Sequence, residues 1–174
     1  RYHVVGCSYS EMICKKSITL EKKEFLKKTF KINIPDKAKI ITFFDTTFDD
    51  SKNALTNYDD CMNFYEDIIR LLDLRDDIFV FIKPSKRFDY LASSVAQRFF
   101  VTNAREIMGL WKALGSHSRV FYQKASSGAM YALDFSLNNI FIAASDLVIT
   151  HCLSSPTAEA LGARRRAIWY ESGD

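Results

Sequence analysis

Apolar and polar positions fall in blocks along this chain. Five short runs are apolar at nearly every position: Lys39–Phe44 (KIITFF), Ile78–Ile82 (IFVFI), Arg119–Gln123 (RVFYQ), Asp146–Thr150 (DLVIT) and Ala167–Tyr170 (AIWY). A strand with one wet face shows polar residues at alternate positions, whereas one buried on both faces does not. The runs therefore predict five strands inside a sheet covered on both sides. Between them the period changes to that of a helix. In Tyr58–Leu74, residues Tyr58, Cys61, Met62, Tyr65, Ile68, Ile69 and Leu72 recur at three- and four-residue steps, with Asp and Glu on the opposite face. Residues 88–98, 104–114 and 129–143 predict further helices. A short one covers 156–162, with Ser155 as N-cap, Pro156 in the first helical position and Gly162 near the stop. Glu11–Phe30 reads as a charged helix, or a helix plus loop.

Strands alternating with helices build βαβ units, so the expected fold is α/β: a Rossmann-like, doubly wound parallel sheet with helices on both faces. Residues 39–174 would form this domain, and residues 1–38 a helix-or-loop segment leading into it. Ligands of such sheets lie outside the carboxyl ends of the strands. The residues that follow the first four runs are polar: Asp45-Thr46-Thr47, Lys83-Pro84-Ser85, Lys124 to Ser127, and His151. Thr46, Lys83, Ser85, Lys124, Ser127 and His151 are thus candidate ligand contacts.

Composition supports a packed domain. The chain has 174 residues, 48% hydrophobic, with 14 Phe, 8 Tyr and 2 Trp, enough for a core and too apolar for disorder. Only 6 Gly and 3 Pro argue against a turn-dense β-barrel. A net charge of +3 gives no reason to expect nucleic acid. Its distribution is uneven: residues 45–77 hold 3 basic and 10 acidic groups, while residues 83–124 hold 8 basic and 2 acidic ones. The acidic stretch suits a solvated helix face, and the basic one follows a strand where an anion could sit. Cys7, Cys14, Cys61 and Cys152 have no CxxC pairing and the three histidines are scattered, so neither a metal site nor a disulfide framework is expected. Reduced thiols and a cytoplasmic location follow as the default. No run of about 18 apolar residues occurs, and the opening RYHVVGCSYSEMICKK lacks a signal-peptide layout. It also lacks a starting Met, which suggests a fragment of a longer protein.

The densest constellation is DLVITHCLSSPTAEALGARRRAIWY, residues 146–170. A buried strand ends at Thr150-His151, a small-residue loop follows, and a helix starts at Pro156. Free N–H groups at that helix start, with the helix dipole, suit an anion. The hydroxyls of Ser154, Ser155 and Thr157 would complete a phosphate cradle. Glu159, in the first turn, suits a ribose diol as a charged acceptor. The plainer reading carries equal weight: Ser155 as an N-cap and Glu159 as a favourable first-turn charge.

This segment resembles the nucleotide-sugar-binding, C-terminal half of GT-B glycosyltransferases, whose strand, Ser/Thr-rich loop, Glu-Ala-Leu, small-residue turn and apolar strand correspond here to SDLVIT, CLSSPT, EAL, GARR and RAIWY. The resemblance implies that Glu159 holds the ribose hydroxyls and that Ser154 to Thr157 bind the donor phosphate. Many retaining members carry a second Glu eight positions earlier; His151 stands there instead. IFVFIKPSK resembles the strand ending in Lys-Pro-His-Pro of bacterial capsule and teichoic-acid polymer transferases, with Lys83 and Pro84 kept and Ser85 in place of His. YHVVGCSYSEMI and KIITFFDTT resemble the entry to that second domain and its first strand. The resemblance implies a nucleotide-sugar donor, a surface-glycan acceptor, a missing N-terminal domain, no metal or other cofactor, and a place in the cytoplasm that allows peripheral association with the inner face of a membrane.

Two other classes stay open: a nucleotide-sugar epimerase-like domain, and a non-catalytic α/β interaction module. GxGxxG, GxxxxGK[ST], GxSxG and HExxH are absent from the sequence. His117 and His3 read as structural, Cys152 as a small packed residue, and Arg164-Arg165-Arg166 as a solvated turn that could also touch a phosphate or an acidic lipid.

Overall fold

The computed structural model describes residues 21–45, 58–83, 104–122, 135–152 and 155–171. In chain order these form α1 (Glu21–Phe30), β1 (Lys39–Phe44), α2 (Tyr58–Leu74), β2 (Ile78–Lys83), α3 (Ala104–Ser116), β3 (Val120–Tyr122), α4 (Phe135–Ala144), β4 (Leu147–His151), α5 (Ser155–Gly162) and β5 (Ala167–Tyr170). All five strands are parallel, in the order β3-β2-β1-β4-β5. The chain is thus an α/β protein with a Rossmann-like sheet. The five apolar runs are its strands, shifted by a residue at most. The expected helix 88–98 and residues 1–20 lie outside the described residues.

Pleating sends neighbouring side chains to opposite faces. Ile41 and Phe43 of β1, Ile78, Val80 and Ile82 of β2 and Ile149 of β4 pack beneath α2 and α3, against Cys61, Phe64, Tyr65, Ile68, Leu72, Ile107, Trp111 and Leu114. Ile40, Phe44, Phe79, Phe81 and Val148 point the other way, onto Leu26, Ile34, Phe141, Ile142, Ala160 and Ala163 from α1, α4, α5 and the adjoining turns. Residues 21–38 therefore lend Leu26, Phe30, Ile32 and Ile34 to the second core layer. The phenylalanines there form a ring cluster, with Phe81 centred 5.5 Å from Phe79, 5.5 Å from Phe121 and 5.1 Å from Phe141.

Polar side chains lock β1 to β4. The amide of Ile40 donates to Asp146 Oδ2 at 2.9 Å, and the buried hydroxyls of Thr42 and Ser145 share a hydrogen bond of 2.5 Å. Ser145 Oγ also reaches the carbonyl of Phe141 at 2.6 Å. α5 ends at Gly162, and the turn after it is tightly bonded. Arg165 N–H donates to Ala160 C=O (2.8 Å) and Arg164 N–H to Leu161 C=O (3.0 Å), with Arg164 at φ 55°. This is the paired bonding of a Schellman turn, with arginine in the left-handed place that glycine usually takes. β5 is an edge strand, and Ile168 and Trp169 remain 51% and 54% exposed.

Candidate functional site

β1 continues through α2 on one face of the sheet and β4 through α5 on the other, so the chain diverges outside the carboxyl ends of two adjacent strands. A crevice at such a divergence is where open α/β sheets take ligands. Strand ends deliver three titratable side chains to this edge: Asp45 after β1, Lys83 at the end of β2 and His151 at the end of β4.

Lys83 is 6% exposed. Strand alternation places it on the face of Phe79 and Phe81, the face that α5 covers. A solvated strand-end lysine is not what the fold provides. Glu159 is half-buried on α5. Burial pushes its carboxyl above the ordinary range, and the positive charge of Lys83 draws it back down. A buried cation and a half-buried carboxylate thus act on one another beyond the carboxyl end of the sheet. An anion would add to the neutralisation of Lys83, and a pair of hydroxyl donors would satisfy Glu159.

The start of α5 is fixed from below. Thr157 is buried, and its hydroxyl shares a short hydrogen bond with that of Thr150, which also reaches the carbonyl of Cys152 at 2.9 Å. Cys152, at φ 61°, turns the chain off β4 towards the helix. Thr157 is therefore occupied in pinning the helix to the strand. Ser155 opens α5 and is exposed, leaving the N–H groups of the first turn directed out of the helix end.

His151 sits on the opposite face. It is 1% exposed and stacked on Phe64, with ring centroids 4.8 Å apart and planes at 9°, while Tyr170 meets its edge at 6.1 Å. Its Nδ1 has no hydrogen-bond partner among the described residues. Burial lowers its pKa, and the charge of Asp60 opposes that in part. The ring is packed into the wall under α2, apart from Lys83 and Glu159. An unfolded histidine titrates near about 6.5. The folded one titrates lower, so as pH falls below that value the unfolded state takes up protons that the folded state refuses, and stability is lost. His151→Phe keeps the stacked ring and removes the titration. Between about pH 7 and pH 5 its melting temperature should fall less than that of the wild type; equal slopes in scanning fluorimetry would assign the acid sensitivity to another group.

Asp45 is not among the contacts that the sequence predicts, although an acid directly after an apolar run is a visible signal. It is 7% exposed and accepts a short hydrogen bond from the hydroxyl of Tyr65 on α2. Tyr65 looked like core alone, because its spacing gives no hint of a polar partner. Of the ten residues singled out from the sequence, Lys83 and Glu159 come together, with Ser155 and Thr157 on the same helix and His151 behind the sheet. Thr46, Ser85, Lys124, Ser127 and Ser154 lie outside the described residues. No group of three or more His, Cys, Asp or Glu suited to a metal ion occurs among the described residues, nor any helix long and apolar enough to cross a membrane.

No family model matches the chain, and no curated protein matches it. Among solved structures it is similar to the N-terminal domain of Candida albicans trehalose-6-phosphate phosphatase, at 16% identity and a TM-score of 0.47, over 92% of this chain and 33% of that one. The chain spans about one third of the length of that structure.

Proposed function

We propose that this chain is the donor-binding half of a glycosyltransferase, taking a nucleotide-sugar at the carboxyl edge of β1 and β4 for transfer to a surface glycan. The observation that carries the reading is the charge interaction between buried Lys83 at the end of β2 and half-buried Glu159 on α5. In this reading the diphosphate lies against the first-turn N–H groups of α5 and the Lys83 ammonium, which stabilise charge on the departing nucleotide. The Glu159 carboxylate accepts from the two ribose hydroxyls. A second domain supplies the glycan acceptor and the base that activates it. The half-exposed Ile168 and Trp169 on β5 favour a second reading, a non-catalytic module that docks a partner there.

Nucleotide binding separates the two. A thermal-shift panel of UDP, CMP and GDP species should contain one ligand that raises the melting temperature. At 100 times its Kd such a ligand adds about 2.7 kcal/mol of apparent stability. For a chain of this size that is about 5–10 °C. A flat panel favours the docking module. Product analysis with a nucleotide-sugar then distinguishes transfer from epimerisation.

A further inference from the structure

A cavity of about 680 Å³ lies at the opposite end of the sheet, outside the amino ends of β1 and β4. The last turns of α2 close one side and the turn between α5 and β5 the other. Its charged lining is Lys39, Arg75, Arg164, Arg165 and Arg166 against a single acid, Asp146. That acid is engaged by the amide of Ile40. Arg75 is engaged too, held by both carboxylate oxygens of Asp77 at 2.7 Å. The remaining arginines make no ion pair among the described residues, and Arg165 Nε is buried without a hydrogen-bond partner.

Cations at the end of a helix complement its dipole, and that alone would account for exposed Arg164 and Arg166 after α5. It does not account for Arg165, whose buried donor is left unsatisfied at a cost that proteins seldom leave standing. The end of α2 also faces this cavity, and its bare carbonyls would repel an anion. Arg119 prevents that: its guanidinium donates to the carbonyls of Arg75 and Leu72, the latter at 2.7 Å. The apolar wall comes from Ile41, Leu71, Ile78 and Leu147. A volume of this size suits a small organic molecule.

We propose that this cavity binds a phosphate-bearing organic anion, with the phosphoryl group on Arg165 and Arg166 and the organic body against Leu71 and Leu147. A guanidinium fork matches phosphate oxygens two at a time. The phosphate can belong to a soluble metabolite or to a lipid headgroup, and both present the same chemistry to the arginines. The site stands apart from the donor crevice and does not depend on the reading given to that crevice.

The test is isothermal titration of the full chain with inorganic pyrophosphate, beside flotation with phosphatidylcholine vesicles that contain or lack phosphatidic acid. Arg166→Gln changes an exposed side chain and preserves the fold; Arg165→Gln/Arg166→Gln removes both forks. The double variant should bind pyrophosphate or the acidic vesicles about tenfold or more weakly, with Arg166→Gln intermediate and any nucleotide-induced melting shift unchanged. Pyrophosphate binding without flotation assigns a soluble phosphate, and arginine-dependent flotation on acidic vesicles alone assigns a headgroup. Wild-type affinity in both variants, or no binding of either probe by the wild type, overturns the proposal.

Discussion

In Glu159→Gln, affinity for the best nucleotide of the panel should fall about 10- to 150-fold, the equivalent of losing a charge-assisted hydrogen bond of about 1.5–3 kcal/mol. Glutamine keeps the length and one acceptor but no longer offers two charged oxygens to two hydroxyls. Stability should move by less than about 1 kcal/mol, because Glu159 lies beyond the first turn of α5, where the pull of the helix dipole has already fallen off. Two effects oppose each other there. Burial already penalises ionised Glu159, so removing the charge relieves the fold; Lys83 loses an attractive neighbour, which strains it. The raised folded-state pKa fixes the sign of the pH effect. Glu159 favours the folded state below its unfolded pKa, and that contribution disappears as pH rises through the higher folded value. Titration calorimetry of the variant decides the matter: unchanged affinity would leave Glu159 an ordinary half-buried helix charge and remove the main support for the donor site.

The second large effect is structural. Phe81→Ala should destabilise the protein by about 3–5 kcal/mol, the range for emptying a large aromatic site in a tight core. Phe81 is fully buried on an interior strand, between β1 and β3, and its ring meets three others. Those neighbours belong to β2, β3 and α4, whose backbones are hydrogen-bonded and cannot collapse into the space. The loss is a large part of the total stability of a domain, about 5–15 kcal/mol, and corresponds to a melting temperature lower by about 6–20 °C. Urea denaturation should show the midpoint falling at constant slope. A cost under about 1 kcal/mol would mean that the aromatic cluster is loosely packed.

The fold was legible because its central strands β1, β2 and β4 are buried on both faces, and β5 has the same kind of apolar sequence although it is an edge strand with Ile168 and Trp169 exposed. KIITFF, IFVFI and AIWY have no polar alternation to confuse with a helix, and Tyr58–Leu74 carries its period over its whole length. Ends were less clear. Of the helix expected over 129–143, α4 covers the part from Phe135 onwards, and residues 129–134 lie outside the described residues. α5 does end at Gly162, but the left-handed residue of the turn that closes it is Arg164. Side-chain fates were harder still. The sequence placed Lys83, His151 and Thr157 at a strand end or helix start, but not their surroundings. The fold buries all three, turning His151 onto Phe64 and Thr157 onto Thr150. Which face a terminal residue takes depends on strand parity and on the helix opposite it, and neither is a local property.

The central place of β1 also orders events in time. Its bonds to β4 span as many as 106 residues, whereas β2 begins soon after α2, so the β4 closure costs about 1 kcal/mol more in loop entropy. Chains emerge N-terminal end first. β1, β2 and β3 can pair under α2 and α3 while α4 and β4 are still to come. During that interval Phe44, Phe79, Phe81 and Phe121 lie on a sheet face that lacks its later helices, the kind of sticky surface through which folding intermediates aggregate. Phe30, already synthesised, packs 4.9 Å from Phe121 and afterwards 5.6 Å from Phe141. Phe30 of α1 is thus available to cover part of that aromatic face before α4 has been made.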